Sequence, residues 1–328
     1  MKAIQIRELG DDADLLLAEV AEPRPKDDEV LVEVKAVGVN YADLQMRRGR
    51  YGGRRPLPYV PGFEAAGVVL QPGRGVTEWL PGRRVMGTVL RETCGCYAER
   101  AVMPAWLLLP MPEHFSFAEG AAFPEVFPTA YLALQVFGHV TKGESVLIHA
   151  AAGGVGTAAV QVAKAAGAQV FATASSEEKL RRVKELGADV LINYAAQDFV
   201  EEIKKKTEGR GVDLVLESVG GEVFEKSLQC LRPTGRLVVY GTSSGQEPSP
   251  IQLLDLRQQS ISVSGFSFGA LSVVRPDVVR QAMQGVTELL RQRKIRPVVG
   301  HTFPLAEARA AHNLLGSRGS FGKVVLIP

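Results

Sequence analysis

The chain has 328 residues, about two domains at ordinary size, with 46% apolar and 23% charged residues and a formal net charge of +2. That profile is expected of a soluble globular chain with a large core, and it gives no reason to expect nucleic acid or an anionic membrane as partner. Three cysteines, Cys94, Cys96 and Cys230, fit a reducing compartment, and the lone C-x-C has no second pair to complete a structural zinc site. No leader pattern follows Met1, and the longest apolar run, 101–111, is broken by Pro104 and Pro110. A cytoplasmic protein without a membrane span is therefore expected.

In chain order, residues 1–124 read as β-rich and turn-rich. Residues 30–37 alternate apolar and polar, and 67–70 and 107–109 are short apolar runs. Pro56, Pro58, Pro61, Gly62, Pro72, Gly73, Gly75, Pro81 and Gly82 punctuate them, so a compact, partly barrel-like β domain is expected. From residue 125 strands and helices alternate. Strands are expected at 145–149, 169–173, 190–192, 213–217, 236–241 and 260–265. Helices are expected at 157–166, 177–186, 199–207 and 222–231. This alternation implies an α/β fold with a doubly wound parallel sheet. A long amphipathic helix over 276–293 and a last strand over 323–327 close the chain.

Residues 146–156 read Val-Leu-Ile-His-Ala-Ala-Ala-Gly-Gly-Val-Gly: a buried strand, a turn of small residues and the start of a helix. In the G-x-G-x-x-G frame Ala151 holds the first position, Gly153 the second and Gly156 the third. Missing Cβ atoms there let a pyrophosphate approach the backbone and let the helix pack on its strand. The amides at the helix start then face negative charge. The next strand ends Phe171-Ala-Thr-Ala-Ser-Ser176, without the carboxylate that accepts from the ribose hydroxyls of NAD. Small hydroxyl residues and Lys179 fit a 2′-phosphate instead, which favours NADPH, although Glu177 keeps NADH open. Bland roles stand beside these. Ser175 and Glu178 also form an S-x-x-E capping box, Lys179 also reads as a solvated helix lysine, and Tyr194 also reads as the cap of an apolar edge. His149 ends a strand and reads as a buried, hydrogen-bonded histidine. His114, His139, His301 and His312 show no ligand spacing.

Several stretches in order carry a resemblance: Gly38-Val-Asn-Tyr-Ala-Asp43, Pro61-Gly-Phe-Glu-Ala-Ala-Gly67, Gly95-Cys-Tyr-Ala-Glu99, Thr129-Ala-Tyr131, residues 149–156 and Gly322-Lys-Val-Val325. Through them the chain resembles the medium-chain dehydrogenase/reductase superfamily, and within it the zinc-free quinone oxidoreductases of zeta-crystallin type. The resemblance implies a GroES-like catalytic domain built from 1–124 and completed by 268–328. A Rossmann domain over 125–267 is inserted between, and the active site lies in the cleft. Zinc alcohol dehydrogenases of the superfamily carry Cys where this chain has Asn40 and His where it has Phe63, and they have a four-cysteine lobe absent here. Of the ligand types zinc requires, only Glu64 remains, so no catalytic metal is expected.

The resemblance also implies the cofactor contacts. Asn40 and Thr129 lie near the nicotinamide, and Gly153, Gly154, Val155 and Gly156 at the pyrophosphate. Ser175, Lys179, Tyr194 and Arg318 surround the 2′-phosphate. Ser218 and Val219 follow the fourth strand, and Tyr240, Gly241, Thr242 and Ser243 the fifth. Phe266, Ser267 and Phe268 follow the sixth and reach the carboxamide. Asn40, Tyr41 and Tyr51 are the candidate catalytic residues, Asn40 as hydrogen-bond partner of the nicotinamide ribose or of the acceptor oxygen, the two tyrosines as pocket lining and donors to the developing charge. Asp43, Glu64 and Glu125 read as holders of turns or as cleft lining. The implied activity is NADPH-dependent reduction of a quinone without zinc, with a small-molecule quinone or enone as substrate. The alternatives are a 2-alkenal or enoyl reductase and a low-turnover NADPH-binding protein. A homodimer joined through 260–265 is expected, an exposed edge strand being prone to pair.

Overall fold

The computed structural model describes residues 1–51, 55–90 and 95–328; Cys94 lies outside them, and Cys96 is buried. The chain opens with β1 (Lys2–Gln5), β2 (Leu16–Glu19), β3 (Glu29–Val39), α1 (Tyr41–Arg47), β4 (Glu64–Pro72) and β5 (Arg84–Thr88). Next come β6 (Arg100–Pro104), β7 (Leu108–Pro110), α2 (Phe117–Ala121) and α3 (Val126–Tyr131), which runs into a π-helical turn over Leu132–Phe137. Then follow β8 (Ser145–Ile148), α4 (Gly154–Ala165), β9 (Gln169–Ala174), α5 (Glu177–Glu185), β10 (Val190–Asn193) and α6 (Phe199–Lys206). The series continues with β11 (Val212–Glu217), α7 (Gly221–Leu228), β12 (Leu231–Val239), α8 (Leu253–Gln259) and β13 (Ser262–Gly265). It ends with α9 (Phe268–Val274), α10 (Pro276–Arg291), β14 (Val299–Pro304), α11 (Ala308–Gly316) and β15 (Lys323–Ile327).

The chain divides into two compact units, one of residues 1–126 with 297–328 and one of residues 127–296. In the second unit six parallel strands lie in the order β10-β9-β8-β11-β12-β13. This is the doubly wound order with its reversal between β8 and β11, where such sheets take ligands at the carboxyl ends of strands. The two central strands are buried on both faces: β8 reads Ser-Val-Leu-Ile and β11 Val-Asp-Leu-Val-Leu-Glu, every residue buried. The expected elements are all present, with shifted ends. α4 begins at Gly154 rather than 157, and β12 begins at Leu231 rather than 236.

Residues 268–296, expected to complete the first domain, belong to the second unit. The reason lies in α10. Its buried Val279, Ala282, Met283 and Val286 follow the spacing of one helix face. On the same helix Gly285 lies so close to the Tyr131 ring that a Cβ would fall 2.3 Å from Tyr131 Cζ. This packing ties α10 to α3 at the start of the unit.

In the first unit the strand order is β14-β15-β3-β4-β5-β7, with β6 also paired to β3. β15 pairs antiparallel with β3, setting Val324 opposite Val39 and Val325 opposite Gly38. The last strand of the chain thus runs beside the strand that leads into α1. The apolar core collects Ile4, Val32, Val37, Leu44, Tyr97 and Val324, among others.

His149 sits just beyond β8 in the core of the second unit, 2% exposed. Its Nε2 lies 2.9 Å from Ser227 Oγ, which itself donates to the Val223 carbonyl, so Nε2 carries the proton. Nδ1, 3.1 Å from Thr173 Oγ1, is then the acceptor. Burial pushes the imidazole down to about 4. Below the ordinary value of about 6.5 the unfolded chain takes a proton that the folded chain refuses. This contribution to stability is therefore complete above pH ~6.5 and is lost as pH falls toward 4. Replacing His149 by Asn should lower the melting temperature most at pH 7 and by a smaller margin at pH 5. Paired thermal melts of wild type and variant at the two pH values check this.

Candidate active site

Strand register in the first unit sets a buried polar cluster. Lys323, the first residue of β15, is 3% exposed. Its ammonium donates to Val39 O at 2.8 Å, to Asn40 Oδ1 at 2.8 Å and to Glu64 Oε1 at 2.6 Å. All three of its protons are used. Asn40 is the N-cap of α1, and its Nδ2 donates to the same Glu64 Oε1 at 2.8 Å. The cation and the carboxylate together fix which way the Asn40 amide faces. Its oxygen is committed to Lys323. The second Nδ2 hydrogen makes a long, weak hydrogen bond to Gly38 O at 3.5 Å. Of the two amide hydrogens of Asn40, this one is the more weakly held.

The cluster extends both ways. Glu64 Oε2 accepts from the Glu125 backbone N–H at 2.9 Å. Asp43, fully buried, accepts from Asn40 N at 2.8 Å and from the Tyr97 hydroxyl at 3.2 Å. Burial and the nearby Glu64 carboxylate push Asp43 up to about 7, against the pull of Asn40 N–H, Lys323 and Tyr97. The Tyr97 hydroxyl also lies 3.0 Å from His312 Nε2. His312 is held neutral, pushed down to about 3 by burial and by the charges of Arg47, Arg48 and Arg309. With Tyr97 donating to Asp43, the His312 proton sits on Nε2 and donates to the tyrosine oxygen. Gly62 makes room for this ring: at φ 105° it takes a backbone glycine favours, and a Cβ would lie 2.4 Å from the Tyr97 ring. Tyr41 begins α1 and packs on the core cluster. Tyr51 is half-buried, edge-on to Phe63 with ring centroids 6.1 Å apart.

In the second unit the turn after β8 has the geometry of an anion cradle. Ala150 takes φ 49°, and Gly153 N–H closes the turn on Ala150 O at 2.9 Å. Gly153 is the N-cap of α4, so Gly154, Val155 and Gly156 form its first turn, whose N–H groups have no acceptor within the helix. A Cβ at Gly156 would sit 2.3 Å from Ala150 O and 2.6 Å from Ala151 Cα, so only glycine lets the helix lie this close to the turn. A Cβ at Gly153 would meet only Ala150 O, at 3.3 Å.

The neighbouring strand ends supply the rest. After β9, Ser175 is half-buried and Tyr194 N–H donates to Ala174 O at 3.2 Å, which brings Ser175 and Tyr194 to one edge. Lys179 is half-buried on the first turn of α5, and burial pulls its ammonium down, with Glu178 opposing. The capping box expected from Ser175 and Glu178 does not form. The helix starts one residue later, and Ser176 is the N-cap, accepting from Lys179 N–H. Glu177, whose carboxylate kept NADH open, accepts from Asn193 Nδ2 at 2.9 Å.

After β11, the buried Glu217 carboxylate accepts from the N–H groups of Val219 and Gly220, shaping the loop that carries Ser218 and Val219. Ser243 N–H donates to Ser218 O at 2.8 Å, and the Tyr240 and Phe266 rings stack with centroids 6.4 Å apart. These contacts bring Ser218, Val219, Tyr240, Gly241, Thr242, Ser243 and Phe266 together at the carboxyl ends of three adjacent strands. Ser267 caps α9, Phe268 is buried at its start, and Thr129 is buried in α3. Arg318, exposed at φ 59° after α11, is in the first unit, as are Asn40, Tyr41 and Tyr51.

Sequence reasoning missed Lys323, Tyr97 and His312 as parts of the cluster. The first two stand in stretches that carried the resemblance, and that was their only signal. Among the described residues no three His, Cys, Asp or Glu side chains gather as a metal site, and no helix is long and apolar enough to cross a membrane. Glu64, the remaining ligand type, spends its oxygens on Lys323, Asn40 and Glu125.

Removing the ammonium leaves the Glu64 charge buried without its cation, a loss of about 3–5 kcal/mol. Lys323→Met should show that loss in urea unfolding, and adding Glu64→Gln should recover a large part of it. Additive losses would mean that the two groups are not coupled.

Two family profiles match the chain. An alcohol dehydrogenase GroES-like domain covers residues 26–113, and a zinc-binding dehydrogenase domain covers residues 154–288. The quinone oxidoreductase of Homo sapiens is 33% identical, over 100% of this chain and 98% of that protein. The crystal structure of Escherichia coli quinone oxidoreductase complexed with NADPH matches all of both chains, with a TM-score of 0.91 at 33% identity. The CurK enoyl reductase matches 99% of this chain and 98% of its own, with a TM-score of 0.88 at 31% identity. The chain is an oxidoreductase of the medium-chain dehydrogenase/reductase superfamily and belongs to its zinc-free quinone oxidoreductase branch.

Proposed function

We propose that the protein is an NADPH-dependent quinone oxidoreductase that works without zinc. The observation that carries this reading is the Asn40 amide, locked by Lys323 and Glu64 with one N–H held only weakly, 3.5 Å from Gly38 O. A fixed N–H donor can polarise an acceptor oxygen but cannot replace a Lewis acid. The acceptor must therefore be electron-poor already, as quinones and conjugated enones are. The residues fit the cofactor. The amides of Gly154, Val155 and Gly156 would hold the pyrophosphate, and Ser175, Lys179 and Tyr194 the 2′-phosphate. Glu177 accepts from Asn193 on one oxygen only, so the preference for NADPH rests on the absence of a carboxylate at the end of β9 and on Lys179 beside it. Thr129, Ser218, Val219, residues 240–243 and residues 266–268 would line the rest.

When bound, the nicotinamide supplies hydride. In this reading Asn40 orients the acceptor oxygen, and Tyr41 and Tyr51 act as further donors to the charge that develops there. The likeness to an enoyl reductase favours a second reading, reduction of a 2-alkenal or enoyl substrate on the same residues. The edge strand β13, bonded on one side to β12, supports a homodimer joined there, with a cytoplasmic setting.

The test uses purified protein treated with EDTA. Initial rates of NADPH and NADH oxidation are compared on an ortho-quinone, a para-quinone and a 2-alkenal. Quinone-selective turnover that prefers NADPH and survives EDTA is expected. Fast alkenal and slow quinone turnover would select the second reading, and loss of activity in EDTA would overturn the zinc-free one. Lys179→Ala should weaken NADPH binding about tenfold, worth ~1.4 kcal/mol, and leave NADH binding unchanged. Gly153→Ala should fold as the wild type does and lose NADPH affinity in fluorescence titration, since its Cβ meets little protein but faces the ligand.

A further inference from the structure

Glu125 stands at the end of a segment rigidly held in the first unit. Ala121, Ala122 and Phe123 are buried at 0–1% exposure, and the Glu125 N–H is tied to Glu64 Oε2 at 2.9 Å. The other oxygen of that carboxylate holds Asn40 Nδ2 at 2.8 Å. One carboxylate therefore bridges the Glu125 backbone to the amide assigned to the acceptor oxygen, which sets residue 125 next to that amide. The charged and titratable groups acting on Glu125 are Glu64 from β4, Lys323 from β15 and Asp43 from α1. The ammonium itself is paired with Glu64, 2.6 Å away. Burial and the neighbouring Glu64 carboxylate push both Asp43 and Glu125 toward the protonated form, Glu125 further than Asp43. Asp43 is fully buried beneath Tyr97, whereas Glu125 is half-exposed and can exchange its proton with water.

We propose that Glu125 is the proton donor of the reaction, an inference that rests on the reductase reading above. Hydride addition brings two electrons and one hydrogen to the acceptor and leaves a hydroquinone anion, or an enolate if the acceptor is an enone. A lone pair of that anion takes the Glu125 carboxyl proton as the carboxyl O–H bond breaks, giving the neutral product and a carboxylate. Water then returns the proton from solvent. Burial and the Glu64 charge push the Glu125 carboxyl up to about 8. Transfer to a phenolic oxygen, whose ordinary value is about 10, is therefore downhill.

The test combines a direct titration with kinetics on the full chain. In infrared difference spectra of wild type against Glu125→Gln, a protonated carboxyl band should persist through pH 7 and vanish with a midpoint near 8. Glu125→Gln should lower kcat about 100-fold with little change in KM and remove the alkaline fall in kcat. Glu125→Asp, which keeps the acid, should retain part of the rate. Circular dichroism and NADPH titration check that both variants fold and bind. A Glu125→Gln enzyme with wild-type kcat and the same alkaline fall would overturn the proposal, as would a carboxyl already ionised at pH 7. A wild type inert toward every quinone and enone would overturn the reductase reading instead, while the band still decides whether Glu125 holds its proton.

Discussion

The buried ammonium of Lys323 is the constraint on which the candidate chemistry depends. A lysine with almost no exposure is costly unless its charge and all its protons are met, and here a carbonyl, an amide oxygen and a carboxylate meet them. Its presence makes a buried Glu64 affordable. Glu64 in turn orients Asn40 on one oxygen and anchors Glu125 on the other. Two residues of the proposed chemistry are thus aligned by a pair that need not touch a substrate at all. The position where zinc enzymes of the superfamily carry a cysteine ligand is filled here by an amide with both ends under control.

The second unit meets a different constraint, the close seating of a helix on the turn that precedes it. Its solution is steric more than electrostatic. Gly156 seats the helix on the turn, Ala150 accepts a left-handed conformation, and the amides of the first turn are left facing outward. The loops after β11, β12 and β13 are then tied to one another by Glu217, Ser243 and the stacked Tyr240 and Phe266 rings. These ties hold residues from three strand ends on one side of the sheet, where a doubly wound fold takes its ligand.

Much of this was legible in the sequence, and the limits have physical causes. Apolar runs and the small-residue turn located every strand of the parallel sheet, because buried parallel strands announce themselves locally. Element ends were less secure. A capping box read from Ser175 and Glu178 failed because Ser176 is equally able to cap, and only the end of β9 decides between them. The domain assignment of 268–296 failed because the packing of Gly285 on Tyr131 joins residues far apart in the chain. The active-site cluster was hidden for the same reason. Lys323 and Asn40 are 283 residues apart and Tyr97 and His312 are 215 apart, so neither spacing nor periodicity could pair them. His312 lacked any ligand spacing and yet completes a hydrogen-bond chain that ends on Asp43.

The pairing of β15 with β3 also bears on the order in which the molecule can be made. The second unit is one continuous stretch, 127–296, and can form its sheet as soon as that stretch has left the ribosome. The first unit is split. Its early strands emerge first but lack both the partner for one edge of β3 and the cation for Glu64 until residues 297–328 arrive. During synthesis β3 and β4 therefore wait with an open edge and an unneutralised carboxylate. A chain cut short before residue 323 keeps the small-residue turn after β8, which is complete within the second unit, but loses the ammonium that sets the Asn40 amide.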